Sequence, residues 1–287
     1  MKFKFKIQDY QTQAVDSVVK VFNGQLFNDN INYAMETGID KSEYKKAIGL
    51  NKANLSKEKE PPVLGFKNAE LNLSDEELLA NIQEIQRENN IRLDDKLNKE
   101  LGRCSLDIEM ETGTGKTYVY IKTIFELNKV YGWSKFIIVV PSIAIREGVK
   151  KSFEVMEEHF METYHKKAHY FIYDSKNLTL IDNFAKNNGI NVMIINTQAF
   201  NRTMDETKKA SQIIYTERDD FQSRRPIDVI KKNNPILILD EPQKIAGTST
   251  QKALKKNFNA LFSLNSSATH KVKHNTVYVL DPLYAYN

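Results

Sequence analysis

Two short stretches of this chain carry side chains whose types and spacing could do chemistry. The first is Thr112-Gly113-Thr114-Gly115-Lys116-Thr117, at the end of the run SLDIEMETGTGKTY over 105–118. A short apolar strand, a glycine-containing turn and Lys-Thr at a helix start are the parts of a phosphate-binding loop. Glycines let the backbone curl until several amide N–H groups converge on one anion, and the following helix adds its positive end. In such a loop Lys116 reaches the β- and γ-phosphates and Thr117 sets its hydroxyl on Mg²⁺. The strict pattern begins with Gly, where this chain has Met110.

The second stretch is ILILDEPQ over 236–243, four apolar strand residues running straight into Asp240 and Glu241. Unpaired carboxylates at a buried strand end are expensive, and a metal ion offsets that cost. Asp240 would hold Mg²⁺ opposite Thr117, and Glu241 would orient and deprotonate a water that attacks the γ-phosphate.

These groups need a scaffold, and the chain has room for one. Its 287 residues, 41% hydrophobic and 27% charged, fit one large α/β domain or two small ones. No apolar run approaches the ~18–20 residues of a membrane span, and MKFKFKIQDY lacks a signal peptide's apolar centre, so the expectation is a cytoplasmic protein. Cys104, the single cysteine, reads as a buried structural thiol in a reducing compartment. A net charge of +4 permits contact with nucleic acid without demanding it. The basic pairs Lys150-Lys151, Lys166-Lys167, Arg224-Arg225, Lys231-Lys232 and Lys255-Lys256 read mostly as solvated faces.

Phe3 to Ile7 alternates as a short edge strand does, and the spacing of Ala14, Val18, Val19 and Phe22 predicts a helix just after Tyr10-Gln11, stopped at Gly24. Residues 40–62 are polar and read as an inserted surface segment. Ser74-Asp75-Glu76-Glu77 is a capping box that opens a helix with Leu78, Leu79, Ile82 and Ile85 on one face. Beyond the loop, a helix over 119–127 is followed by alternating strands and helices. Strands are predicted at 136–141, 169–174, 191–197, 235–240, 260–269 and 276–281, with helices at 146–160 and 177–186. Continuous Ile/Val/Leu runs separated by helices predict a doubly wound, mostly parallel sheet, which binds ligands at the carboxyl ends of its strands. The polar stretch 202–225 reads as a mobile excursion between two strands.

Tyr10-Gln11, Met110 to Thr117, Val139-Val140-Pro141-Ser142, Asn196 to Asn201, Asp240 to Gln243 and Ser267-Ala268-Thr269 occur in the order of the motifs in the first motor domain of superfamily 2 helicases. More narrowly METGTGKT, IIVVPSIAIREGV, DEPQ, SATH and LDPLYAYN resemble the restriction subunit of type III restriction enzymes, over nearly the whole chain. Met110 is part of that resemblance. It implies a RecA-like fold divided into an adenine-recognition part (1–39), a polar and helical insertion (40–100) and an ATP-binding core (101–287).

The resemblance also implies roles. Gln11 would read adenine, with Tyr10 near the base; Gln11 also fits an ordinary pre-helix position. Thr112, Gly113, Thr114, Gly115, Lys116 and Thr117 would hold ATP, with Mg²⁺ between Thr117 and Asp240. Pro141, Ser142, Arg146, Thr197, Gln198 and Asn201 match segments that touch a nucleic-acid backbone, where plain strand-end turns also use such residues. Ser267, Ala268 and Thr269 match the segment coupling nucleotide state to movement. The implied whole enzyme acts on double-stranded DNA with a modification (methyltransferase) subunit that uses S-adenosylmethionine.

The second motor domain and the nuclease domain are expected outside this chain, leaving it weakly active or inactive alone. Asp174-Ser175-Lys176 reads as a strand ending rather than a nuclease signature. His165/His169 and His270/His274 lack a convergent third ligand for zinc. Two other readings stay open: a different superfamily 2 helicase or translocase, and a non-catalytic nucleic-acid-binding module.

Overall fold

The structure is a computed structural model that describes residues 7–29, 31–35, 64–200, 213–245, 248–269 and 272–280. Most of the expected edge strand at 3–7, the polar segment 40–62, Asn201, His270 and nearly all of LDPLYAYN lie outside these residues.

A seven-stranded sheet organises the described residues. Its strands are β3 (Ser105–Glu109), β4 (Lys135–Val140), β5 (Ala168–Ile172), β6 (Ile190–Asn196), β7 (Ile236–Asp240), β8 (Ser263–Ser267) and β9 (Asn275–Val279). They lie in the order β5-β6-β4-β7-β8-β3-β9, and every pairing is parallel. A separate antiparallel hairpin pairs β1 (Ile31–Ala34) with β2 (Leu64–Lys67).

The apolar runs are continuous because both sheet faces are covered. Successive strand residues point to opposite faces, so each central strand feeds two cores. Phe136, Ile138, Val140, Val192, Ile194, Ile236 and Ile238 enter one core. Ile137, Val139, Met193, Ile195, Leu237 and Leu239 enter the other. The first core is closed by α1 (Asp9–Lys20), α2 (Asp75–Glu88), α3 (Lys116–Tyr131) and α4 (Ile143–Tyr164). The second is closed by α5 (Thr179–Lys186), α6 (Pro226–Lys232), α7 (Pro242–Ile245) and α8 (Thr248–Asn257).

Local signals set the ends of these helices. Ser74 Oγ accepts from Glu77 N while Glu77 reaches back to Ser74 N, the reciprocal cap legible in the sequence. Leu78, Ile82 and Ile85 then pack into the first core beside the sheet. Two side chains on α2 also cap the outer edge of the sheet, Gln86 donating to Thr276 O and Asn89 to Val277 O of β9. Open strand edges invite pairing with other chains, and these amides occupy the acceptors.

Buried polar groups tie distant segments together. Asn68, fully buried, donates to Lys135 O and Asn234 O and accepts from Ser134 N and Lys135 N. It pins residues just after β2 to the starts of β4 and β7. Lys135, also fully buried, reaches the last carbonyls of α5, donating to Phe184 O at 2.6 Å. Cys104 is buried and its thiol is pushed up to about 12 by that burial, as expected of an inert structural cysteine.

The 202–225 expectation needs correction over its described part. From Ile213 onward the chain is anchored: Ile214 and Phe221 enter the second core, and Tyr215 Oη donates to Phe200 O at 2.8 Å. Arg224 is no solvated surface residue either, since its Nη2 forks onto both oxygens of Asp182 at 2.8 and 3.0 Å. Two buried apolar anchors seven positions apart inside a polar stretch leave no periodic signal, which is why composition misread it.

Candidate functional site

Strands β3, β7 and β8 are neighbours, and their carboxyl ends bring the two chemically active stretches together. The turn after β3 is closed by Thr114, whose N and Oγ1 both bond Glu111 O. Gly113 and Gly115 have φ values of +90° and +88°, where a side chain would strain the backbone. At Gly113 the place a Cβ would occupy is open, with nothing within 4 Å beyond its own chain neighbours. At Gly115 the Gln11 amide fills that place.

Tyr10 and Gln11 lie in the first turn of α1 rather than before it. Both reach the loop: Tyr10 Oη and Gln11 Nε2 donate to Thr114 O at 3.3 and 3.1 Å. Gln11 Oε1 accepts from Gln8 N, so one amide caps α1 and braces the turn. Lys116 opens α3, and its Nζ donates to Met110 O at 3.2 Å and pairs with Glu241 Oε1 at 3.3 Å. Both partners are nearly buried, with side chains 11% and 13% exposed.

The acidic pair is supported from three sides. Asp240 is buried, and that burial, with the neighbouring Glu241 charge, pushes its carboxyl up to about 6. Tyr120, fully buried on α3, approaches Asp240 Oδ2 at 3.5 Å. Glu241 takes the left-handed conformation, φ +55°, costly for a residue with a Cβ and typical of functional turns. Its Oε2 is held by Gln243 Nε2. The Ser267 hydroxyl has Glu241 Oε2 at 3.3 Å, Gln243 Oε1 at 2.8 Å and Thr269 O at 2.8 Å within reach. Ser267 and Thr269 therefore touch the acidic pair directly or through one another; Ala268 lies between them.

The donor set fits phosphate and a hard cation. Thr117 and Asp240 offer oxygen ligands, and Mg²⁺ is commonly held by one or two protein oxygens with phosphate and water supplying the rest. Among the described residues no group of three His, Cys, Asp or Glu side chains could hold a metal ion.

The residues matched to nucleic-acid contact lie along the same sheet edge, on the other side of β7. Pro141, Ser142 and Arg146 follow β4, and Thr197 and Gln198 form a turn after β6, the strand beside β4. Ser142 Oγ caps α4 by accepting from Ile145 N. Arg146 Nη2 pairs with Glu147, while its Nε is buried with no partner among the described residues. Thr197 is buried and Gln198 exposed. Asp174 accepts from Lys176 N at 2.9 Å, closing a turn after β5. His165 ends α4 and His169 lies on β5.

Sequence reasoning missed a second polar cluster, on β3 below the loop. Asp107, fully buried, accepts from Asn265 Nδ2, His274 N and His274 Nδ1 at 2.7–2.8 Å. The other ring nitrogen of His274 donates to Glu100 Oε2 at 2.7 Å. A lone aspartate inside an apolar strand was the available signal.

A parallel, doubly wound sheet with a phosphate-loop turn after one strand and an acidic pair at the end of another defines a RecA-like domain. Residues 68–272 match the family described as type III restriction enzyme, res subunit, and the chain belongs to that family. It is 33% identical over 234 residues to the EcoP15I Res subunit of Escherichia coli, covering 77% of this chain and 24% of that protein. It is 31% identical to the EcoPI Res subunit of Escherichia phage P1 over the same shares of the two chains. The chain thus spans about a quarter of the length of the curated relatives it matches. Among solved structures, the UvsW helicase from bacteriophage T4 aligns at 14% identity and a TM-score of 0.36, over 70% of this chain and 62% of that one. No helix among the described residues is long and apolar enough to cross a membrane.

Proposed function

We propose that this chain is the ATP-binding motor portion of a type III restriction subunit, using Mg²⁺ and double-stranded DNA-dependent ATP hydrolysis to switch or move on DNA. Recognition of a site would come from a modification subunit, and cleavage from a nuclease domain beyond these residues. The observation that carries the reading is the meeting of Lys116 and Glu241 at the mouth of the loop, with Asp240 and Thr117 beside them.

The geometry supports a simple exchange. Lys116 and Glu241 neutralise each other. A β- or γ-phosphate arriving in the loop offers Lys116 a stronger, multiply charged partner. Glu241 Oε1 is then released while Gln243 and Ser267 still hold Oε2, so the freed oxygen is aimed to accept a proton from an attacking water. Mg²⁺ held by Thr117 and Asp240 would supply positive charge to the phosphoryl oxygens. Gln11 and Tyr10 keep the Thr114 carbonyl turned away, leaving the loop amides to face the phosphates. Backbone contacts from Ser142, Arg146 and Gln198 would hold DNA along the adjoining strand ends.

The test is ATP turnover with and without double-stranded DNA, for the native chain and for Lys116→Ala and Arg146→Ala. Turnover by the native chain is expected to be slow, and Lys116→Ala should abolish both it and ATP affinity, with DNA affinity lowered in Arg146→Ala. Nucleotide binding that survives Lys116→Ala unchanged would sink the site. Loss of DNA binding in Arg146→Ala, with Lys116→Ala silent in every assay, would instead favour a non-catalytic nucleic-acid-binding module.

A further inference from the structure

Tyr120 is fully buried, yet its one polar atom is aimed at the acidic pair. It lies three residues after Thr117 on α3, so both side chains share one helix face. Helical side chains lean toward the helix start, which turns the phenol back toward the loop rather than outward. There it donates to Asp240 Oδ2, 3.5 Å away, one helical turn from Thr117. One buried phenol therefore holds Asp240 from the same helix face that carries Thr117, the two side chains best suited to a cation.

We propose that Tyr120 is the positioning residue of the cation site: it holds Asp240 by Oδ2 so that Oδ1 faces the ion, opposite Thr117. This rests on the nucleotide-site reading above. The buried setting makes the arrangement stiff. A neutral phenol stabilises a carboxylate without adding charge, whereas a lysine there would compete with the cation. Burial and Asp240 both push the phenol's pKa well above its ordinary value, so it stays a donor at every working pH.

Tyr120→Phe keeps the ring and its packing and removes the hydroxyl alone. The experiment is equilibrium binding of a fluorescent ATP analogue to the 287-residue chain and its variants, by anisotropy, once in Mg²⁺ and once in EDTA. Tyr120→Phe is expected to bind about fivefold more weakly in Mg²⁺, the size of one lost hydrogen bond, and to match the native chain in EDTA. The EDTA arm also shows that the variant is folded. In an Asp240→Asn background the phenol has no carboxylate to aim, so adding Tyr120→Phe should change the Mg²⁺ arm little. An unchanged Mg²⁺ affinity, or an equal loss in both arms, overturns the positioning role. A native chain that binds the analogue in neither arm overturns the nucleotide site and this inference with it. A native chain that binds equally well in both arms overturns the cation site alone.

Discussion

Lys116 Nζ stands 3.3 Å from Glu241 Oε1, so the residue matched to phosphate binding and the residue matched to water activation are each other's partner. A nucleotide must break this pair to use either group. Glu241→Gln removes the competitor while leaving a side chain that Gln243 and Ser267 can still hold. The variant should bind an ATP analogue about three- to tenfold more tightly, as for loss of a competing ion pair worth ~1 kcal/mol, and should not turn it over. Titration by anisotropy, paired with phosphate release, measures both. Equal or weaker binding would mean that the pair does not gate the loop.

Asp240 gives a stability test. Its folded pKa is raised from 3.8 to about 6, chiefly by burial and then by Glu241. The folded state therefore holds this proton more tightly than the unfolded chain does between those values. Stability should fall as pH rises from about 4 to about 6, with the penalty fully present above 6. The gap is worth roughly 3 kcal/mol at most. Asp240→Asn removes the ionisation, so its melting temperature should exceed the native one by a few degrees at pH 7.5 and by almost nothing at pH 4. Hydrolysis should vanish, the usual exchange of function for stability at a strained site. A variant less stable than the native chain at pH 7.5 would contradict this.

Much of this arrangement was legible in the sequence because it rests on local rules. The apolar runs 136–140, 192–195 and 236–239 bury residues on both faces, and only a covered parallel sheet asks for that. Ser74 and Glu77 announce the start of α2, and the glycines at 113 and 115 announce the loop. What stayed hidden depends on partners far apart in the chain. Nothing about Asn68 says that it will bond the starts of two strands, and nothing about His274 points to Asp107 and Glu100. Tyr120 falls inside the helix expected over 119–127 with nothing to mark its polar atom, although its spacing from Thr117 was visible. The segment 213–225 was misread because Ile214 and Phe221 are single anchors without a period.

Asn68 should be the most sensitive polar residue outside the site. It makes four side-chain hydrogen bonds in a fully buried setting, to groups at 134, 135 and 234. Asn68→Ala leaves two backbone N–H groups and two carbonyls without that partner, at ~1–3 kcal/mol for each group that water cannot reach. Loss of ~2–4 kcal/mol is expected by urea denaturation, against under ~1 kcal/mol for Asn72→Ala. Asp is the informative second replacement: Asn68→Asp keeps the two acceptor bonds and turns the two donor bonds into repulsions with carbonyls. It should be at least as damaging as Ala, and a harmless Asp would show that the carbonyls find other donors.

His274 makes the stability of the outer strand pair depend on pH in a direction that can be worked out. Burial of the ring opposes its charge, but the hydrogen bonds and charges of Asp107 and then Glu100 outweigh that, and its pKa is raised. Both ring nitrogens face carboxylate oxygens, at 2.8 and 2.7 Å, and only the imidazolium can donate from both. A base whose folded pKa lies above its unfolded value stabilises fully below the unfolded value, 6.5, and loses that contribution as pH rises through the folded one. The native chain should therefore exceed His274→Gln in unfolding free energy at pH 6, by a margin that shrinks toward pH 9. Because His274 opens β9 and its partner Asp107 lies on β3, amide hydrogen exchange in 275–279 should speed up over the same range. A margin that stays constant from pH 6 to pH 9, with unchanged exchange in β9, would show that the ring acts as a neutral spacer and that Asp107 is satisfied by Asn265 and the His274 backbone alone.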